Sequence, residues 1–174
     1  MGDGYAEAIR RVYPNVPDSA DYVMFWWDKA AELVRAGAVE RFGLITTNSV
    51  RQTFNRRVLE RHLHADPPLA LRFAIPDHPW VDTVDGAAVR IAMTVGDVGV
   101  GQGLLQVVTR EFDSETEENH VELDSRRGQI QADLTTGAKV FDAVTLSANI
   151  GISNRGVTFM GSGFVISRAE AEQL

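Results

Sequence analysis

The residues best suited to chemistry fall in two short stretches. Thr46, Thr47, Asn48 and Ser49 place three hydroxyls and a carboxamide in four consecutive positions, and Arg51, Gln52, Asn55 and Arg56 follow directly. At the junction of a strand and a helix, side chains of this kind line the crevice in which open α/β sheets hold ligands. Arginines beside a helix N-terminus meet phosphate there. The same residues have a plainer use: Asn48 or Ser49 is a favoured helix N-cap, and arginines along a helix form a solvated charged face. Residue types alone leave both uses open. The second stretch, residues 76–82 (PDHPWVD), sets His78 and Trp80 around a proline, where the histidine suits a phosphate contact or a solvated loop. Cysteine is absent, which removes thiolate nucleophiles, disulfides and Cys-ligated metals. The four histidines show no His-x-x-x-His spacing, so no metal site is expected.

These residues need elements to hold them. Residues 19–36 read as a helix, with Ser19 as cap, Val23, Trp26, Ala30, Leu33 and Val34 at helical spacing on the buried face, and Gly37 as the stop. Arg41–Thr47 is short, β-rich and apolar at Phe42, Leu44 and Ile45, which predicts a strand ending at the Thr46–Ser49 cluster. A helix capped by Asn48 or Ser49 follows, with Phe54, Val58 and Leu63 on one side and Arg56, Glu60 and Arg61 on the other. Residues 69–75 form the next apolar strand. Residues 76–82 form a loop, because prolines remove ladder donors, and 87–95 a buried strand interrupted by Arg90. The Gly-rich stretch 96–103 divides the chain into domains 1–98 and 99–174.

Beyond it, residues 104–110 and 120–123 suggest a hairpin around an acidic tip, and 157–166 glycine-broken β structure. Ser167 and Glu170 resemble a capping box opening a last helix. Strand–helix alternation implies an α/β layer with a largely parallel sheet, then a mostly β segment. The first part supplies only about three strands against the ~5–6 of a typical sheet, so the Arg41–Thr47 strand is expected to present an unpaired edge.

With 44% hydrophobic and 24% charged residues, the chain is globular in composition. No apolar run approaches the roughly 18 residues of a membrane span and no signal region opens the sequence, so a cytoplasmic address without a membrane partner is expected. The net charge of −7 opposes autonomous nucleic-acid binding. The acidic excess lies mostly beyond residue 98, while Arg51, Arg56, Arg57 and Arg61 make a local basic stripe.

Four strings carry a family resemblance: residues 21–35 (DYVMFWWDKAAELVR) leading into 41–56 (RFGLITTNSVRQTFNR), then 73–80 (FAIPDHPW) and 86–93 (GAAVRIAM). They resemble class I, S-adenosylmethionine-dependent DNA methyltransferases that modify adenine at N6 and are fused into single-chain type II restriction-modification enzymes. Residues 99–174 resemble, more distantly, the connection and start of that family's target-recognition region. The resemblance implies the last strands and helices of a Rossmann-like methyltransferase sheet, and DNA as partner. In that family the cofactor loop and an Asn/Asp-Pro-Pro-aromatic catalytic motif precede the helix that corresponds to residues 19–36. Neither string occurs in this sequence, whose one Pro-Pro pair, Pro67-Pro68, follows Asp66 and precedes Leu69. The resemblance thus implies no catalytic residue in this chain, no cofactor bound to it alone, and a missing N-terminal half as second partner. It also implies that an aromatic in the loop before the 87–93 strand stacks on the flipped adenine; Trp80 is the aromatic there, and its alternative use is to cap the sheet by packing. The alternative is a non-catalytic DNA-binding or regulatory module derived from such an enzyme.

Overall fold

The first helix, α1 (Asp3–Val12), has no counterpart among the sequence-predicted elements. Only Ala6 and Ile9 of its described side chains are half-buried, so its apolar signal is thin. The computed structural model describes residues 3–80, 89–112 and 120–137, within a compact unit spanning Met1–Ala138. The segments 157–166 and Ser167–Glu170 lie outside the described residues, as does the acidic tip.

Helix α2 (Val23–Arg35) buries Met24, Trp27, Asp28, Ala31 and Val34. Trp26, placed inward by the sequence pattern, is 60% exposed, and Leu33 is also exposed. Adjacent residues stand about 100° apart on a helix, so only one of the two tryptophans can face the sheet. Trp27 has the partners for it: its indole N–H donates to Thr94 Oγ1 at 3.1 Å, and its ring meets Phe42 edge-on at 5.2 Å. The helix starts at Val23 with no side-chain cap, so Ser19 does not serve as one. Gly37 does end it. Its φ of +71° lets Gly37 N donate to Val34 O and Ala38 N to Leu33 O, both at 2.9 Å.

Strand β1 (Arg41–Thr47) leads through a 3-10 turn (Asn48–Arg51) into α3 (Thr53–Leu63). Then come β2 (Leu69–Pro79), β3 (Arg90–Val98), β4 (Gly103–Phe112) and β5 (His120–Gly128). They form one five-stranded sheet in the order β1-β3-β2-β4-β5. The fold is mixed α/β, with the strands of the second part continuing the sheet. A largely parallel sheet is corrected: β3 lies antiparallel between β1 and β2, β4 and β5 are antiparallel, and only β2 and β4 run parallel. The β4–β5 hairpin matches the sequence reading.

Two local readings change. Residues 76–79 belong to β2 rather than to a loop, pairing with β3 at His78↔Ile91 and Pro79↔Arg90 across a register shift after Ile75. Both prolines are tolerated because the parallel ladder with β4 involves only Phe73 and Ala74, leaving no ladder bond to lose on that side beyond them. The Gly-rich stretch is a crossover inside the sheet, so the compact unit runs on past residue 98. It carries the chain from β3 past the start of β2 into β4, with Gly99 N donating to Pro68 O. A side chain at Gly103 would collide with the Leu71 carbonyl, and one at Gly101, whose φ is +151°, with the Arg72 guanidinium.

The core joins Met24, Trp27, Ala31 and Val34 of α2 with Val58 and Leu59 of α3, Leu69, Leu71 and Ala74 of β2, and Ile130 and Leu134. Each fully buried valine, leucine, isoleucine or methionine among them contributes about 1.5–3 kcal/mol. Strand β1 is one of the two sheet edges, and among the described residues no strand pairs with its outer side. Ile45 stands 54% exposed on it. Concentration-dependent association through this edge is expected in sedimentation experiments, weakened by Ile45→Lys. A monodisperse monomer across the whole concentration range would count against an accessible edge.

Candidate functional site

Strand register brings the two chemistry-bearing stretches to one end of the sheet. Thr47 lies opposite Ile91, and Ile91 opposite His78, so Thr47 and His78 share one row across β1, β3 and β2. Pro79 pairs with Arg90, and the next residue, Trp80, donates its backbone N–H to Val89 O at 2.8 Å. The Trp80 side chain is 45% exposed, with no ring contact to a described residue.

Around that row run two polar clusters, one through Asp77 and one through Asp21. Asn48 does not cap a helix; its Nδ2 donates to Asp77 Oδ1 at 3.0 Å. Ser49 Oγ donates to Asp21 Oδ2 and sits 2.6 Å from Thr47 Oγ1. The helix-capping alternative for Asn48 and Ser49 is thereby overturned, because both side chains are drawn across to other elements. Arg90 extends the Asp77 cluster, with Nε donating to Asp77 Oδ1 at 2.6 Å and Nη2 to Glu111 Oε1 at 2.8 Å. The hydrogen bonds to Glu111 and then to Asp77 push the guanidinium further above its ordinary pKa, so it stays charged.

The residues expected to touch DNA separate into groups. Arg51 and Gln52 are exposed, and Arg51 makes no ion pair or hydrogen bond among the described residues. His78 is half-buried in the row with Thr47, its Nδ1 2.6 Å from Pro79 O. Asn55 is not a surface contact: it is 3% exposed, Oδ1 accepts from Asp21 N at 2.8 Å, and Nδ2 donates to Asp21 Oδ2 and Ser49 O, each at 2.9 Å. It ties α3 to the chain before α2. Arg56 is engaged by Glu60 one helical turn on, at 2.8 Å. The basic stripe is broken at Arg61, which turns inward to Asp28. Sequence reasoning passed over Asp21 and Asp77, whose only signal is an acidic residue near a predicted element end. Arg90 stood out only as a charge in an apolar strand. Among the described residues no cluster suited to a metal ion occurs.

No family model matches the chain, and no curated protein matches it. The structure is similar to that of the Type IIL restriction-modification enzyme MmeI, solved in complex with DNA, with a TM-score of 0.59 and 20% sequence identity. The likeness covers 80% of this chain and 18% of that one, so the chain spans under a fifth of its structural neighbour's length. At this identity the likeness establishes a shared fold.

Proposed function

We propose that this chain is part of a site-specific DNA methyltransferase of a restriction-modification system, one that transfers a methyl group from S-adenosylmethionine to adenine N6. It contributes the wall of the base pocket and DNA contacts. The observation that carries the reading is the convergence of Thr47, Asn48, Ser49, His78 and exposed Trp80 at one end of the sheet. Their fold is shared with a segment of an enzyme solved on DNA. Open α/β sheets bind ligands at such strand ends. A base extruded from the duplex needs both a flat side chain to stack on and polar groups at its edge.

The fit to a cofactor is partial. The described residues offer polar groups for a base, but no Gly-rich strand-to-helix turn for S-adenosylmethionine and no Asn/Asp-Pro-Pro-aromatic string to hold the adenine amine. Those belong to the N-terminal half of the methyltransferase, the proposed partner, whose next strand has the free edge of β1 to pair with. In this division of labour, Trp80 orients the base, Thr47, Asn48 and Ser49 face its edge, and Arg51, Gln52 and His78 engage the backbone.

The test has two arms. Calorimetry on the chain alone is expected to show no micromolar affinity for S-adenosylmethionine, and such binding would overturn the division of labour. Joined to a polypeptide carrying both missing motifs, the chain is expected to support transfer of labelled methyl to adenine. Transfer only to cytosine, or none with a folded product, would overturn the adenine assignment.

A further inference from the structure

Beside the Asp77 cluster lies a cleft of about 320 Å³ to which three separate elements each bring an arginine: Arg51 from the turn after β1, Arg90 from β3 and Arg126 from β5. A volume of this size is at the small end of ligand pockets. Leu105 and Leu134 give it an apolar wall, and Thr135 and Thr136 add hydroxyls.

Among the described residues the arginines are not used up. A guanidinium has five N–H donors. Arg126 spends Nε on Asp124 at 2.8 Å, leaving both terminal nitrogens. Arg90 uses Nε and Nη2 for Asp77 and Glu111. Arg51 spends none on a described residue. The three carboxylates offset the charge of the three arginines, so what the cleft offers an anion is N–H donors: those of Arg51, which has no partner among the described residues, and the terminal nitrogens of Arg126.

The wall is also held in an unusual conformation. Leu134 is fully buried at φ +57°, a backbone region that residues with a side chain rarely adopt. It is fixed there by Leu134 N donating to Gln131 O at 2.9 Å, Gln131 N to Thr135 O at 2.8 Å, and Thr135 Oγ1 to Asp133 Oδ1 at 2.7 Å. This turn delivers the two threonines to the cleft.

We propose that the cleft is a nucleotide-phosphate subsite, in which Arg51 and Arg126 chelate the phosphate while the attached sugar lies against the half-buried Val107 and Val108. Arg–phosphate pairs are among the strong, geometrically specific contacts. Through Asp77, which accepts from both Arg90 and Asn48, the subsite adjoins the strand end that carries His78 and Trp80. A phosphate held there belongs to a nucleotide next to the stacked base if the source is a DNA strand. The source rests on the proposed function; the chemistry of the subsite does not.

The test titrates the full chain with adenosine 5′-monophosphate and with a short DNA duplex, following affinity by calorimetry and the Thr135 and Thr136 amides by NMR. Both ligands are expected to bind and to shift those amides. Arg126→Ala is expected to weaken each on the order of tenfold, and Arg126→Lys, which keeps the charge and loses the fork, to weaken it less. Arg126 is largely exposed, so an unchanged thermal transition verifies that the variant is folded. Duplex binding that is indifferent to Arg126→Ala, without movement of the threonine amides, overturns the subsite and leaves the DNA reading standing. Arginine-dependent binding of the mononucleotide without duplex binding upholds the subsite and makes a free nucleotide, rather than a DNA strand, its source. Binding of neither ligand overturns the subsite.

Discussion

Trp80→Ala is expected to weaken productive DNA engagement by about tenfold or more in the proposed methyltransferase, this chain joined to a polypeptide carrying the two motifs it lacks. Stacking of a base on an aromatic side chain contributes roughly 1–3 kcal/mol, and each ~1.4 kcal/mol is a factor of ten. The geometry suits that use: the Trp80 backbone is anchored by its bond to Val89 O, while the ring stands nearly half exposed at the end of β2. Trp80→Phe should retain most function, because a π-face survives. A tryptophan serving only to pack the sheet end would reveal itself differently, by a lowered unfolding temperature with unchanged base flipping in the folded fraction. The measurement that decides is 2-aminopurine fluorescence at the target position, set beside thermal unfolding of both variants. Full flipping by a destabilised Trp80→Ala protein would assign the residue to packing.

The largest effect on stability is expected at Asp28. Its carboxylate is 1% exposed between α2 and α3, accepting from Arg61 Nη2 and, at 2.7 Å, from His62 Nε2. That bond requires the hydrogen to be on Nε2, which leaves Nδ1 to accept from Arg35 Nη1 at 3.5 Å. His62 is itself fully buried, against the Trp27 ring. Removing one member of such a group strands the others, at a cost of about 3–5 kcal/mol for buried pairs. Arg61 is partly exposed and recovers some hydration, so the lower end of that range, about 3 kcal/mol, is expected for Asp28→Ala. For a chain of this size that lowers the unfolding temperature by roughly 6–12 °C.

Asp28→Asn, which keeps an acceptor for His62, should recover part of the loss. An unfolding temperature for Asp28→Ala within a degree or two of the parent's would show that the helices do not depend on this tie.

The pH dependence follows from the same group. Burial works to raise the Asp28 pKa, but the hydrogen bond from His62 and the charge of Arg61 outweigh it and hold the carboxyl below its ordinary 3.8. A carboxylate whose folded pKa is depressed contributes stability above its unfolded value, and that contribution is lost as pH falls through the folded value. Acid unfolding of the parent below about pH 4 should therefore be blunted in Asp28→Ala relative to its neutral-pH stability.

Local pattern was enough for several features. The apolar run of Arg41–Thr47 predicted β1, Gly37 marked the end of α2 through its freedom at positive φ, and the acidic interruption separated β4 from β5. The position of Thr47, Asn48 and Ser49 between a strand and a helix was legible for the same reason: it depends on neighbours in the chain. Phase and partner were not. Helical spacing allows either Trp26 or Trp27 to face inward, and only a hydroxyl at Thr94, 67 residues on, selects Trp27. Asn55 and Arg61 read as a polar helix surface until Asp21 and Asp28, each about 33 residues earlier in the chain, draw them out of solvent. Pro76 and Pro79 argue for a loop unless the neighbouring ladder stops short of them, as it does at Ala74. The insertion of β3 between β1 and β2 likewise depends on pairing between distant segments. Sequence periodicity reports the repeat of an element; which side of it is buried, and against what, is set by groups that meet only when the chain has folded.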